Sequence, residues 1–281
     1  MTVIVQLSDL HLMKDGAPAY GRIDTHDGLR RAVAHLQRLD AAVGGIDAIV
    51  VTGDLTDHGE PEAYALFRAM TAPLRAPIYA LPGNHDLREP MRAAFAPDGV
   101  MPSEGPLDHA VDVGPLTLIL LDDLVEGEAW GALSAAQLDW LDAVLAARPD
   151  RPAMLFLHHP PFDCGIGFMD ANRLRDSEAL AAVVRRRRNV RVIGCGHIHR
   201  AATCLWAGVP AMIAPAPAHS VSLDLRPGAE GCFSLEPGGV VVHRFTGAGG
   251  GAGGGAGGGF GEIVSQTSFI DPWPGPYPFR G

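Results

Sequence analysis

Five short segments of this chain gather carboxylates, an amide and imidazoles in combinations that can hold metal ions. Asp9 and His11 stand two residues apart, and Asp54 follows Gly53. Asn84, His85 and Asp86 run consecutively after Gly83; His158 and His159 precede two prolines; His197 and His199 again stand two apart, after Gly196. In an extended chain an i, i+2 pair points to one side, so Asp9 with His11 offers two ligands to a common point. Carboxylate, amide oxygen and imidazole together make mixed N/O ligation, which suits Mn, Fe, Co or Zn. Cysteine is missing from the set, which argues against a structural zinc site. Each segment alone is commonplace, and an isolated buried histidine is usually a hydrogen-bonded core residue. Their weight comes from where they stand.

Each segment closes a short apolar run. Val3 to Leu7 ends at Ser8-Asp9, Ala48 to Val51 at Gly53-Asp54, and Pro77 to Leu81 at Gly83-Asn84-His85-Asp86. Ala153 to Leu157 ends at His158-His159, Val190 to Ile193 at Gly194-Cys195-Gly196-His197, and a further run, Leu116 to Leu121, at Asp122-Asp123. Runs this short, rich in branched residues and followed by turn-formers, read as buried strands. Helical spacing lies between them: over Asp27 to Leu39, over Glu62 to Met70 behind Pro61, from a capping box at Ser134 to about Ala147, and over Ser177 to Arg188. Strand and helix alternate, so the class is α/β, and polar residues at the carboxyl ends of successive strands mark where open α/β sheets place their sites.

The 281 residues, 47% hydrophobic and 19% charged, allow one large domain with appendages. A formal net charge of -10 repels a phosphate backbone and argues against nucleic acid as the main partner. A phosphate site on such a chain must be made locally positive, which bound metal ions would do. The four cysteines (Cys164, Cys195, Cys204 and Cys232) include no C-x-x-C pair, and reduced thiols in a cytosol are the simpler reading. No secretory signal opens the chain, and no apolar run approaches the roughly 18 residues needed to span a bilayer. A soluble, cytoplasmic protein with no membrane partner is the expectation. The run Arg185 to Arg188 reads as a helix C-terminus facing solvent, and His26, His35, His58, His109 and His243 fit no motif.

Beyond His197 the segments Thr203–Trp206, Ala211–Ile213, Val221–Leu225, Cys232–Leu235 and Val240–Phe245 are short and strand-like, and suggest a second, mixed or antiparallel sheet packed on the first. Residues 247–261 are almost wholly Gly and Ala and read as a flexible linker. Residues 262–281 return to apolar and aromatic side chains, ending Trp273-Pro-Gly-Pro-Tyr-Pro-Phe279. Such a tail is expected to dock, either on its own domain or on a neighbouring subunit in a homo-oligomer. The chain divides on this reading into residues 1–246, the linker 247–261 and the tail 262–281.

In their order and spacing, Asp9-x-His11, Gly53-Asp54, Gly83-Asn84-His85-Asp86, His158 and Gly196-His197-x-His199 resemble the calcineurin-like metallophosphoesterases, over roughly residues 1 to 245. The resemblance implies a four-layer αββα sandwich of two mixed β-sheets flanked by helices. It implies two divalent or trivalent metal ions, one on Asp9, His11 and His199 and the other on Asn84, His158 and His197, with Asp54 between them. Two such ions roughly 3.5–4 Å apart share a hydroxide that attacks phosphorus, while their charge and His85 stabilise the phosphoryl oxygens. His85 is the candidate to protonate the leaving alkoxide, with Asp86 placed to orient it and Asn84 beside it at the substrate. The family's His-x-Pro pattern favours His158 over His159 as ligand. Strand alternation would turn His159 away, leaving it to orient a ligand from behind.

Protein phosphatases of the family carry an Arg after the second Asp and a Glu after Asn-His, and Gly53-Asp54-Leu-Thr-Asp57 and Asn84-His85-Asp86 depart from both. Leu155-Phe-Leu-His-His-Pro-Pro-Phe162 and Gly167-Phe-Met-Asp-Ala-Asn-Arg-Leu174 are similar to the bacterial class III cyclic nucleotide phosphodiesterases and their glycerophosphodiesterase relatives, whose comparable loop walls the substrate site. His219 stands where those relatives place a substrate-side histidine. Hydrolysis of 3′,5′-cyclic nucleotides is the leading expectation, with a glycerophosphodiester or broad-specificity diester second. The other class is a metal-binding scaffold without activity; such proteins usually lose ligands, and every ligand position is filled here.

Overall fold

The computed structural model describes residues 1–247, 261–271, 274, 275 and 277–279. Six helices are used below: α1 (Thr25–Val43), α2 (Pro61–Thr71), α3 (Arg88–Phe95), α4 (Ala135–Ala146), α5 (Gly167–Asp170) and α6 (Ser177–Arg186). One sheet holds, in spatial order, β13 (Glu262–Phe269), β12 (Gly239–Thr246), β1 (Thr2–Leu7), β2 (Ala48–Thr52) and β3 (Ile78–Leu81). The other holds β4 (His109–Val113), β5 (Leu116–Leu120), β6 (Ala153–Phe156), β7 (Val190–Cys195), β9 (Val209–Ile213) and β8 (Ala202–Trp206). Both sheets are mixed. β1, β2 and β3 run parallel, as do β5, β6, β7 and β9, while β12, β13, β4 and β8 pair antiparallel at their edges.

Strand alternation sorts the side chains into layers. Val3, Val5 and Leu7 of β1 pack outward with Leu29 and Leu36 of α1, Tyr64 and Phe67 of α2, and Met91 and Phe95 of α3. Ile4, the odd residue out, faces inward and joins Val50, Leu118, Leu120, Met154 and Phe156 in the core between the sheets. Ile119 and Leu155 point to the opposite side, against Leu141 and Leu145 of α4 and Leu180 and Val184 of α6. Three apolar layers therefore separate helices, sheet, sheet and helices, which is the four-layer αββα sandwich. Local signals start the helices: Asp24 caps α1 by accepting from the Asp27 N–H, and Ser134 with Gln137 forms the expected capping box of α4.

One expectation is corrected. The strands after His197 do not form a sheet of their own. β8 and β9 extend the second sheet, and β12 crosses back to pair with β1. Two residues from each of two other segments make a separate hairpin, β10 (Ser220–Val221) with β11 (Phe233–Ser234). Which sheet a short strand joins depends on long-range pairing, which its own pattern does not encode. The first part of the tail forms β13, which pairs with β12 from Gly239↔Phe269 to Thr246↔Glu262. Residues 248–260 of the expected linker, and Trp273 of the tail, lie outside the described residues.

A polar link ties the first sheet's loops to the second sheet. Arg88, at the start of α3, meets Asp122 beyond β5 through Nε at 2.6 Å and Nη2 at 2.9 Å. The Asp122 N–H in turn donates to Asp108 at 2.7 Å, and Gln137 Nε2 donates to the same Asp108 oxygen at 3.2 Å. Burial, with the Asp122 charge adding to it, pushes the Asp108 carboxyl up to about 7. A folded-state pKa above the unfolded value of roughly 3.9 means that the neutral acid stabilises the fold at low pH, and that this contribution is lost as pH rises from about 4 through about 7. Asp108→Asn stays neutral, so its urea midpoint is expected to gain on wild type between pH 5 and pH 8; parallel profiles would contradict the buried acid.

Candidate metal centre and cleft

The five segments arrive at one place because β1, β2, β3, β6 and β7 all end on the same side of the sandwich. The turns that follow are unusual. Asp9, His11, Asp54, His197 and His199 all hold positive φ, between 47° and 71°. Non-glycine residues pay roughly 1–2 kcal/mol for this conformation, and such strain persists where the surroundings impose it, typically at functional sites. Two glycines allow the close approach. A Cβ on Gly83 would stand 2.2 Å from Asp54 Oδ1, and one on Gly196 would stand 2.2 Å from Ser8 Oγ and 3.0 Å from Asp9 Oδ2.

Hydrogen bonds at the back of the site set where the lone pairs point. His158 Nδ1 lies 2.8 Å from the Thr52 carbonyl, which can only accept, so Nδ1 carries a proton. Its Nε2 then faces two more acceptors, Asn84 Oδ1 at 3.1 Å and Asp54 Oδ2 at 3.4 Å. His11 repeats the pattern: Nδ1 donates to Asp57 Oδ1 at 2.8 Å, while Nε2 faces His199 Nε2 at 3.1 Å and Asp54 Oδ2 at 3.4 Å. Ligand atoms of Asp9, His11, Asp54 and His199 all lie within 4.8 Å of one another. Asp9 Oδ1 accepts the His197 N–H at 2.9 Å, while its Oδ2 is buried with no hydrogen-bond partner.

A buried group of acceptors facing one another needs positive charge among them. Protons can supply it. Burial pulls the His158 imidazole down, but the Asp54 charge outweighs it and lifts the group to about 10. Burial likewise opposes His85, which Asp54 and Asp57 raise to about 9. Burial would raise the Asp54 carboxyl, yet His158, His85 and His11 hold it well below the usual range. Burial and the neighbouring imidazoles keep His197 and His199 far below theirs, so both present free lone pairs. Metal cations fit the same place with better geometry: convergent oxygens and nitrogens, an unpartnered carboxylate oxygen and neutral imidazoles. The cluster is able to bind metal.

All seven expected ligands are brought together, and His85 stands beside them with its ring centroid 4.6 Å from that of His11. The expectation for Asp86 is not met. Its carboxylate takes bonds from the N–H groups of Leu55, Thr56 and Gly83, from Thr56 Oγ1 and from Tyr64 Oη, all between 2.9 and 3.1 Å. It braces the turns of Asp54 and Asn84. The carboxylate at the His85 ring is that of Asp57, whose main-chain carbonyl accepts from Nδ1 at 3.0 Å and whose Oδ1 lies 3.4 Å from it. His159 is a second correction. Alternation does not turn it away, because β6 stops at Phe156; its ring centroid is 4.5 Å from that of His197. The five motif-free histidines stay out of the group of ligands, His26 on the Met13 carbonyl and His243 on Ser265, for example.

Five of the seven, His11, Asp54, Asn84, His197 and His199, form the floor of a cleft of about 350 Å³. Phe168 and Met169 of α5 wall it, as expected of residues 167–174, and His219 lines it from the loop before β10. Burial and His11 press the His219 imidazole down to about 3, so it is neutral. Two residues outside any motif complete an aromatic wall: Tyr20 and Phe233 stack with centroids 5.8 Å apart at 30°. His219 stands edge-on to both, 5.9 Å from each. Nothing in their local sequence marks Tyr20 or Phe233.

Comparison with known proteins agrees with this geometry. The family model of the calcineurin-like phosphoesterases matches residues 2–201. A probable glycerophosphodiester phosphodiesterase, GpdQ, of Arcobacter nitrofigilis is 34% identical over 99% of this chain and 96% of its own length. A cAMP/cGMP dual specificity phosphodiesterase of Mycobacterium tuberculosis is 35% identical over 82% of this chain and 74% of its own. The 3′,5′-cyclic adenosine monophosphate phosphodiesterase CpdA of Escherichia coli K12 is 34% identical over 73% and 72%. Among solved structures, a dimetal phosphatase from Danio rerio superposes with a TM-score of 0.60 at 16% identity, covering 86% of this chain and 94% of that one. At that identity the likeness is one of fold.

Gly83→Ala would drive a methyl group into the Asp54 carboxylate. Calorimetric titration with Mn²⁺ is expected to show affinity reduced about tenfold or more, and an isotherm matching wild type would contradict the packing described.

Proposed function

This chain belongs to the calcineurin-like phosphoesterases, and on that premise we propose that it hydrolyses 3′,5′-cyclic nucleotides at a centre of two metal ions. It is a phosphoric diester hydrolase, in keeping with the family and with relatives named as phosphodiesterases. The observation that carries the proposal is Asp54 Oδ2, 3.4 Å from both His11 Nε2 and His158 Nε2. Asp9, His11 and His199 would hold one ion on one side of that carboxylate, and Asn84, His158 and His197 the other. N/O donors of this kind take Mn, Fe, Co or Zn, and availability decides among them. When bound, such ions supply Lewis acidity, neutralising phosphoryl oxygens and acidifying an attacking water.

The chain's own residues do the rest. Asn84 and the floor histidines fix the phosphoryl group. His85, 31% exposed toward the cleft, holds its Nδ1 proton on Asp57, which leaves Nε2–H to protonate the departing ribose oxygen as the P–O bond breaks. His219, neutral and facing the cleft, contacts substrate beyond the phosphate. The stacked Tyr20 and Phe233 give a flat wall against which a nucleobase can lie, and this favours a nucleotide. Hydrolysis of glycerophosphodiesters is the second reading, favoured by the likeness to a probable GpdQ over 99% of the chain. Among the described residues no helix is long and apolar enough to cross a membrane. The four cysteines are free thiols, which supports a cytoplasmic location.

Two measurements on metal-loaded protein test this. In a panel of cyclic AMP, cyclic GMP, glycerophosphoethanolamine and a phosphomonoester, cyclic nucleotides are expected to lead in kcat/KM. Phe233→Ala should cost cyclic AMP about tenfold, a stacking contribution, and the glycerol diester little. A leading glycerol diester would select the second reading, and a leading monoester would overturn the diester assignment. His85→Ala should slow cyclic AMP by about 10²–10⁴ but a bis-aryl diester much less, because an aryloxide leaves without a proton; equal losses would remove the acid role.

A further inference from the structure

Four buried polar atoms behind His197 lack hydrogen-bond partners: Asp123 Oδ1, both ring nitrogens of His159, and His197 Nε2. They are neighbours. His159 Nδ1 is 3.2 Å from Asp123 Oδ1, and the His159 and His197 ring centroids are 4.5 Å apart. One ring nitrogen from each of His158, His159 and His197 lies within 4.8 Å of the other two. His159 and Asp123 are each 0% exposed, while His197 lines the cleft. A buried carboxylate and two buried imidazoles left unpaired would be costly, so their protons must be shared out among them.

We propose that Asp123 and His159 are a positioning pair that holds His197 with its proton on Nε2, presenting the Nδ1 lone pair to a metal ion. One proton arrangement would give each of the four atoms a complementary neighbour. In it Asp123 would accept from His159 Nδ1–H, and His159 Nε2, keeping its lone pair, from His197 Nε2–H. Each ring then carries one proton, and Nδ1 of His197 is the nitrogen left for the cleft. The pair is held from behind. Asp123 Oδ2 accepts the His159 N–H at 2.9 Å, and the Asp123 carbonyl accepts from Ala132 at 2.9 Å. Gly131 closes the other side: a Cβ there would come within 2.3 Å of His159 Nδ1 and 3.0 Å of the Asp123 carbonyl oxygen. Position 131 therefore has no room for a side chain beside the ring. A carboxylate–imidazole pair behind a ligand histidine fixes its tautomer and raises its basicity. The inference rests on His197 being a ligand, as proposed above.

The test uses the full chain with zinc as probe, read by binding and by spectroscopy. In wild type, ¹⁵N-histidine NMR should find the His159 proton on Nδ1 and the His197 proton on Nε2, both before and after zinc is added. A His197 proton on Nδ1 overturns the pair, and this measurement stands whether or not any variant folds. By calorimetry wild type should take two zinc ions. His159→Gln and Asp123→Asn should each keep one ion at wild-type affinity and weaken the other about 10- to 100-fold, the double variant being little worse than either. Folded variants that bind both ions as wild type does would also overturn it. Wild type taking fewer than two ions would instead count against the ligand assignment on which the inference rests.

Discussion

The Asp54 carboxylate, 1% exposed, sits where the ends of two sheets meet, and most of the architecture around it serves to keep a buried negative charge tolerable. It is flanked by imidazoles from both sheets, His11 after β1 and His158 after β6, each at 3.4 Å. The His85 N–H donates to its other oxygen at 2.9 Å. No single element could supply these partners. Parallel strands running the same way in two facing sheets bring their carboxyl ends, and so their turns, to one place.

That convergence costs backbone freedom. Left-handed conformations at Asp9, His11, Asp54, His197 and His199 aim these side chains in directions that a regular strand would not. Asp86 is one brace for these turns, since four of its five donors come from the loops that carry Asp54 and Asn84 and the fifth, Tyr64 Oη, from α2. Arg88 on Asp122 is another, joining the loop after β3 to the second sheet. The apolar layers supply the rigidity against which such strain is held. Likeness of fold alone would not establish chemistry here. Fold does not imply function. The proposed function rests on the cluster of convergent carboxylates and imidazoles.

Most of the site was legible because metal ligands are few in type and the strand ends that carry them are punctuated by glycine. The buried strands were legible from their apolar runs, within one or two residues. What escaped was held in irregular backbone. Asp57 sits three residues past Asp54, and only the left-handed turn at Asp54 tells that its carboxylate returns to His11 and His85. Asp86 adjoins His85 in sequence but faces the opposite way. His159 was assigned by strand alternation, which ends at Phe156. Tyr20 and Phe233 meet across more than two hundred residues; β3 is followed by a helix, α3, too short to show periodicity, and β12 pairs with β1 from the far end of the chain.

The central claim is that Asp54 stands between two metal ions. Crystals of the protein grown with Mn²⁺, measured for anomalous scattering, test it directly. Two peaks are expected, one contacted by Asp9, His11 and His199 and one by Asn84, His158 and His197, with Asp54 touching both. A single peak, or ions bound away from Asp54, would contradict it.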